Sequence, residues 1–240
     1  MKQILPVFKR EFFGYFRSPV AYVFLVVFLV VSLGLTFSRV GSFYSSRVAS
    51  LNMFFMLQPW IYTFFIAAVG MRLWSEEKRS GTWELLFTLP VTVREGVLGK
   101  FLAGWAFIIV GLALTFPIVI TVGYLGDPDW GPIFTGYLGC ALMAGSFLAV
   151  CSFTSALTQN QVISFVISVV INLCLVLLGA DALKDYLSFL PIEWAEGLSN
   201  FSYMTHFEGF TRGLIAFKDL VFFLSLSLVS LLLTAIVLER

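Results

Sequence analysis

Six apolar runs, each long enough to cross a bilayer, dictate most of what this chain can fold into. They are Val20 to Ser38, Phe54 to Leu73, Phe101 to Leu125, Ile133 to Leu157, Val162 to Ala180 and Leu220 to Leu238. A span needs about 20 mostly apolar residues. With 59% hydrophobic and only 12% charged residues, and a mean hydropathy of +0.94, the chain lacks the polar surface of a soluble domain. Backbone groups in lipid must be satisfied within the protein, and runs of this length without a two-residue alternation predict helices rather than a barrel. The expected fold is all-α, one membrane domain over residues 1–240 with six spans.

The basic residues give that domain a direction. Lys2, Lys9, Arg10 and Arg17 precede the first run, and Arg72, Lys78, Arg79, Arg94 and Lys100 lie in or beside the second connection. Both segments are expected on the cytoplasmic side, and six crossings bring the C-terminus back there. The opposite connections carry Arg39 and Arg47, then Asp127 and Asp129, then Lys184, Arg212 and Lys218 among six acidic residues. A net charge of +1 gives no support for nucleic-acid binding.

Residues 1–18 have no apolar core or small-residue cleavage site of signal-peptide kind and are expected to be retained. Ile4, Leu5, Phe8, Phe12 and Phe16 recur every three or four residues, which predicts an interfacial helix ended at Ser18-Pro19. The segment 181–218 is too long for a turn, and its mixture of aromatics and acids predicts short helices dipping into the far side of the bilayer. Within it, His206 admits two readings: a gate or cargo contact, with Phe207 and Phe210, or an interfacial histidine satisfied by a neighbouring acid or carbonyl.

Catalytic patterns are missing from the sequence. There is one histidine, and Cys140, Cys151 and Cys174 fall inside spans without paired spacing, which reads as packing. Gly99-Lys100 resembles the end of a phosphate loop, but Arg94 stands where its first glycine belongs and Phe101 where a magnesium-binding hydroxyl belongs. The span interiors offer no relay of ionisable residues for proton coupling. Neither catalysis nor a cofactor of its own is expected, so energy for uphill transport has to come from a partner. Ala141, Gly145 and Ala149, four apart, allow close helix contact, either within the chain or between two copies.

Between the second and third runs lies a segment of different character, 74–98. Ser75-Glu76-Glu77-Lys78-Arg79 precedes Gly81, and Thr82 is placed to cap a short helix with Trp83, Leu86 and Phe87 on one side and Pro90 as its stop. Aromatic anchors rimmed by charge suit a partner's groove, while a solvated loop lying on the membrane fits the same composition.

The string SEEKRSGTWELLFTLPVTVREGVLGK resembles the hallmark of ABC-2 type permeases, in which acids precede a Gly-Thr-x-Glu-Leu-Leu core and a Leu-Pro stop between the second and third spans. SYMTHFEGFTRGLIAFKDLVFF is similar to that family's His-Phe-x-x-Phe-x-x-Gly segment before the last span, and KREFFGYFRSPVAYVFLVVF resembles the opening of its gliding-motility type members. The resemblance implies a permease paired with a second permease subunit, identical or homologous, in membrane lipid. Each docks on a separate ABC ATPase that binds ATP and magnesium, and an extracytoplasmic accessory protein is a further partner the resemblance allows. It further implies that Glu76, Glu77, Thr82, Trp83, Glu84, Leu85, Leu86 and Pro90 form the contact that couples ATPase motion to the spans, and that His206, Phe207 and Phe210 are candidates for the external gate.

Overall fold

The computed structural model describes residues 4–38, 50–81, 92–179, 197 and 199–239. Those residues form ten helices: α1 Ile4–Arg17, α2 Pro19–Phe37, α3 Asn52–Gly70, α4 Ser75–Ser80, α5 Val93–Ala113, α6 Pro117–Leu125, α7 Trp130–Leu157, α8 Gln161–Leu177, α9 Tyr203–Thr211 and α10 Phe217–Leu238. A helix, α1, stands where an interfacial one is expected at residues 1–18, and it turns into α2 at Ser18, with Pro19 in the first turn of the new helix where its missing N–H costs nothing.

Among the described residues, five segments are long and apolar enough to cross a membrane: α2, α3 continued into α4, α5 with α6, α7 and α10. The protein is therefore a multi-pass membrane protein. The expected span Val162 to Ala180 is α8, a shorter apolar helix of 17 residues, opened by Asn160, whose side chain accepts from Val162 N at 2.9 Å. At about 1.5 Å per residue it falls short of the ~30 Å apolar thickness. The expected third span, Phe101 to Leu125, ends where expected and differs at its start and in its middle. It starts at Val93, where Thr92 and Glu95 form a reciprocal capping box, and it breaks at Leu114–Phe116 because Pro117 cannot donate to the carbonyl four residues back. Thr115 is buried in that break and its hydroxyl lies 3.0 Å from the Tyr137 hydroxyl of α7.

The helices assemble around α7, which packs against α3, α5, α8, α9 and α10. The most apolar stretch of α7 is 78% buried, against 22% for that of α10, so α7 is the internal axis and most of α10 is left for lipid or another chain. Close approach at α7 depends on glycine. A Cβ on Gly70 would stand 2.4 Å from Cys151 Cβ, and one on Gly139 would stand 2.8 Å from Phe210. Trp105 of α5 donates its indole N–H to Ala141 O at 2.8 Å and lies against Gly145, while Ala149 is fully buried. The small-residue stripe Ala141/Gly145/Ala149 thus serves contact within the chain.

Candidate functional site

The elbow between α3 and α4 is where the charged connection meets the spans, and elementary hydrogen bonding explains why it takes the form it does. A helix that ends and restarts inside a protein leaves carbonyls and N–H groups without partners. Here side chains of two other helices satisfy them. Ser155 of α7 accepts from Trp74 N and Ser75 N, both at 3.0 Å, and its hydroxyl is 3.0 Å from Met71 O. Lys100 of α5 donates to Leu73 O at 2.9 Å. Trp74 is fully buried and its indole N–H reaches Ser152 Oγ at 3.1 Å.

Lys100 carries the charge of this site. Only 3% exposed, it is ion-paired with Glu77 Oε1 of α4 and lies 4.7 Å from the Trp74 ring centre. A buried ammonium needs both a counter-charge and further acceptors, and the elbow supplies them from Glu77, Leu73 O and the indole face. Lys78 bonds to Ala156 O, placing a cation at the C-terminal end of α7, where the helix dipole favours it. Gly81 ends α4 in a left-handed conformation, φ 70°, as a glycine at this position does readily.

Three helices and one elbow are consequently fastened at a single point. Glu77 is a half-buried member of the fastening and Glu76 is exposed, and both border a cavity of about 450 Å³ with Glu11, Arg72 and Lys100, walled by α1 and the start of α2. That cavity puts the N-terminal helix and the charged connection at the same end of the molecule. Thr82, Trp83, Glu84, Leu85, Leu86 and Pro90 lie outside the described residues. Sequence reasoning missed Lys100, Ser152 and Ser155. The capping box at Thr92 and Glu95 was the signal that would have moved the helix start upstream and drawn Lys100 inside.

At the other end, α9 is pinned to α7 and α10. His206 Nδ1 is 2.7 Å from Asp219 Oδ1, Nε2 is 2.9 Å from Asn200 O, and the ring stacks on Phe222 at 4.1 Å. This is the arrangement of an interfacial histidine satisfied by an acid and a carbonyl. Phe207 and Phe210 are buried and press on Gly139. The His206 and elbow sites are at opposite ends and share no residue.

Among the described residues no three His, Cys, Asp or Glu side chains come together as a metal ion would need. What the geometry defines is a multi-pass helical membrane protein in which a charged connection is tied to two spans by buried polar side chains. A family model described as ABC-2 family transporter protein matches residues 8–179, from within α1 to just past the end of α8. The chain belongs to that family and is a membrane permease component of an ABC-2 type transporter. A search of curated proteins found no match.

Proposed function

We propose that this chain is the permease half of an ATP-driven exporter, with six crossings and both termini in the cytoplasm, and that the α3–α4 elbow passes ATPase motion to the spans. In this reading two permease subunits pair in the inner membrane, each docked on a separate ATPase that holds ATP and magnesium. The contact with the ATPase is assigned to Glu76, Glu77, Thr82, Trp83, Glu84, Leu85, Leu86 and Pro90. The opening sequence KREFFGYFRSPV supports a place among the gliding-motility type permeases, in which work on an extracytoplasmic partner is an alternative to export.

One observation carries the proposal: the charged connection does not hang from α3 alone but is tied to α7 by Ser152 and Ser155 and to α5 by Lys100. A push on α4 therefore reaches three helices at once. At the far end, Phe207 and Phe210 of α9 are assigned the external gate, with the His206–Asp219 pair positioning that helix.

The test is co-expression with candidate ABC ATPases of the same genome, reconstitution of the pair in lipid nanodiscs and measurement of ATP turnover. Trp83→Ala/Leu86→Ala is expected to abolish association, whereas Ser152→Ala/Ser155→Ala is expected to leave association intact and cut permease-stimulated turnover several-fold. If no ATPase binds, or if both variants turn over ATP as the native complex does, the coupling role is wrong and a passive scaffold takes its place.

A further inference from the structure

A second polar site lies within the spans, away from the elbow, and it is defined by groups whose hydrogen-bonding capacity is unspent. Gln58 of α3 is fully buried, and neither its Nε2 nor its Oε1 has a partner among the described residues. Ser32 of α2 and Tyr62 of α3 are fully buried as well, and their hydroxyls are likewise unpartnered. Gln58 is followed by Pro59, inside the helix, so the Phe55 carbonyl loses its usual donor four residues on.

These groups fall at one level. Phe28 of α2 stacks on Tyr62 and Phe65 of α3, with ring centres 6.1 and 4.5 Å apart, and the two helices run in opposite directions. One turn onward along α2 is Ser32, and one turn back along α3 is Gln58, so the two face the same layer. Tyr62 also meets Phe147 of α7 at 6.3 Å, and its hydroxyl neighbours the buried Cys140 thiol, a weak partner at best. Gln58 is six residues from the first residue of α3, about 9 Å along the axis, which puts the layer inside the apolar zone.

Unbonded amides and hydroxyls are costly where no solvent reaches them, and buried clusters of this kind are satisfied by ordered water, typically with two to four protein partners per molecule. Carbonyls freed by proline in transmembrane helices are re-satisfied in the same way. We infer that Ser32, Gln58, Tyr62 and the Phe55 carbonyl form an internal hydration site, one or a few ordered waters held between α2, α3 and α7. The donor and acceptor of the Gln58 amide are its anchor. Water bonds exchange without breaking packing, so the Gln58-Pro59 step is a point at which α3 can bend while its lower half stays fastened to α7 at the elbow. The site itself does not depend on the exporter reading.

The experiment is X-ray radiolysis of the full chain in lipid nanodiscs in ¹⁸O water, with peptide mass spectrometry. Bound water generates hydroxyl radicals beside its partners, so Tyr62 and Cys140 are expected to be oxidised with ¹⁸O although both are buried, with the 91% exposed Tyr124 as the surface control. In Gln58→Leu, oxidation at Tyr62 and Cys140 is expected to fall at least threefold with Tyr124 unchanged, and the thermal midpoint to drop. Ser32→Ala gives the same direction with a smaller change and serves if Gln58→Leu does not fold. Absence of oxidation at Tyr62 in the native protein, equal oxidation in the variants, or an unchanged or raised midpoint in Gln58→Leu would overturn the site.

Discussion

At the scale of single residues, Lys100 decides how the elbow responds to change. Replacing it by methionine leaves Glu77 facing a largely apolar wall and strips the donor from Leu73 O. Removing one partner of a fully buried pair costs about 3–5 kcal/mol. Because the Glu77 side chain keeps 21% of its surface in solvent, a loss of about 2–3 kcal/mol is expected for Lys100→Met, read from thermal unfolding in a defined lipid. The double change Lys100→Met/Glu77→Leu is expected to recover most of that loss, since an apolar pair of similar volume needs no counter-charge. At the far end, Asp219→Asn weakens the contact that orients His206 and is expected to cost about 1–3 kcal/mol by the same measurement. How legible these residues were differs for a physical reason. His206 with a nearby acid was readable as a satisfied pair because aromatic and acidic neighbours crowd that segment. Lys100 was readable only as one more basic residue, since a lysine's position relative to a helix start is invisible until the start is known.

Elements follow from apolar length, and their interruptions follow from proline, glycine and caps. The six apolar runs are largely helical over their described residues, yet the starts moved wherever a cap outweighed hydropathy: capped by Asp129, α7 begins three residues before Ile133, and capped by Thr92, α5 begins eight residues before Phe101. The third run broke at Pro117, whose effect inside an apolar stretch depends on whether a neighbour stabilises the break. Thr115 and Tyr137 do so here, and nothing in the linear sequence pairs them. Glycines within helices separate in the same manner into those pressed by a neighbour and those that face open space. Gly70→Ala forces a Cβ into Cys151, and a shift of α3 away from α7 is expected to cost about 1–3 kcal/mol and to loosen the Trp74–Ser152 bond one turn away. Gly34→Ala meets nothing within 4 Å and is expected to be neutral or stabilising by up to about 1 kcal/mol, the gain in helix propensity. A melting comparison of the two variants checks the packing of α3 on α7 directly.

For the whole molecule the open quantity is how many times the chain crosses, and it turns on α8. Hydropathy alone gives six crossings, while length and composition together give five among the described residues and leave a 17-residue helix as the sixth. Two features favour a crossing by α8. Its buried face, Ser164, Ser168, Asn172 and Val176, repeats every four residues against α7 and α3, and its other face presents Val162, Val166 and Val170 outward, as lipid would require. The Thr154–Ser168 contact ties its middle to α7, and the Tyr203–Asn172 bond ties it to α9 one turn further on. A short span is accommodated by local thinning of the bilayer at a cost of fractions of a kcal/mol per Å. Site-directed labelling decides the matter in a Cys174→Ser background, because Cys140 and Cys151 are buried. With six crossings, Ser80→Cys and Glu239→Cys react with a membrane-impermeant maleimide from one side and Asp127→Cys from the other. If Glu239→Cys shares the side of Asp127→Cys instead, α8 does not cross, α10 runs in the opposite direction, and the assignment of α9 to an external gate falls with it.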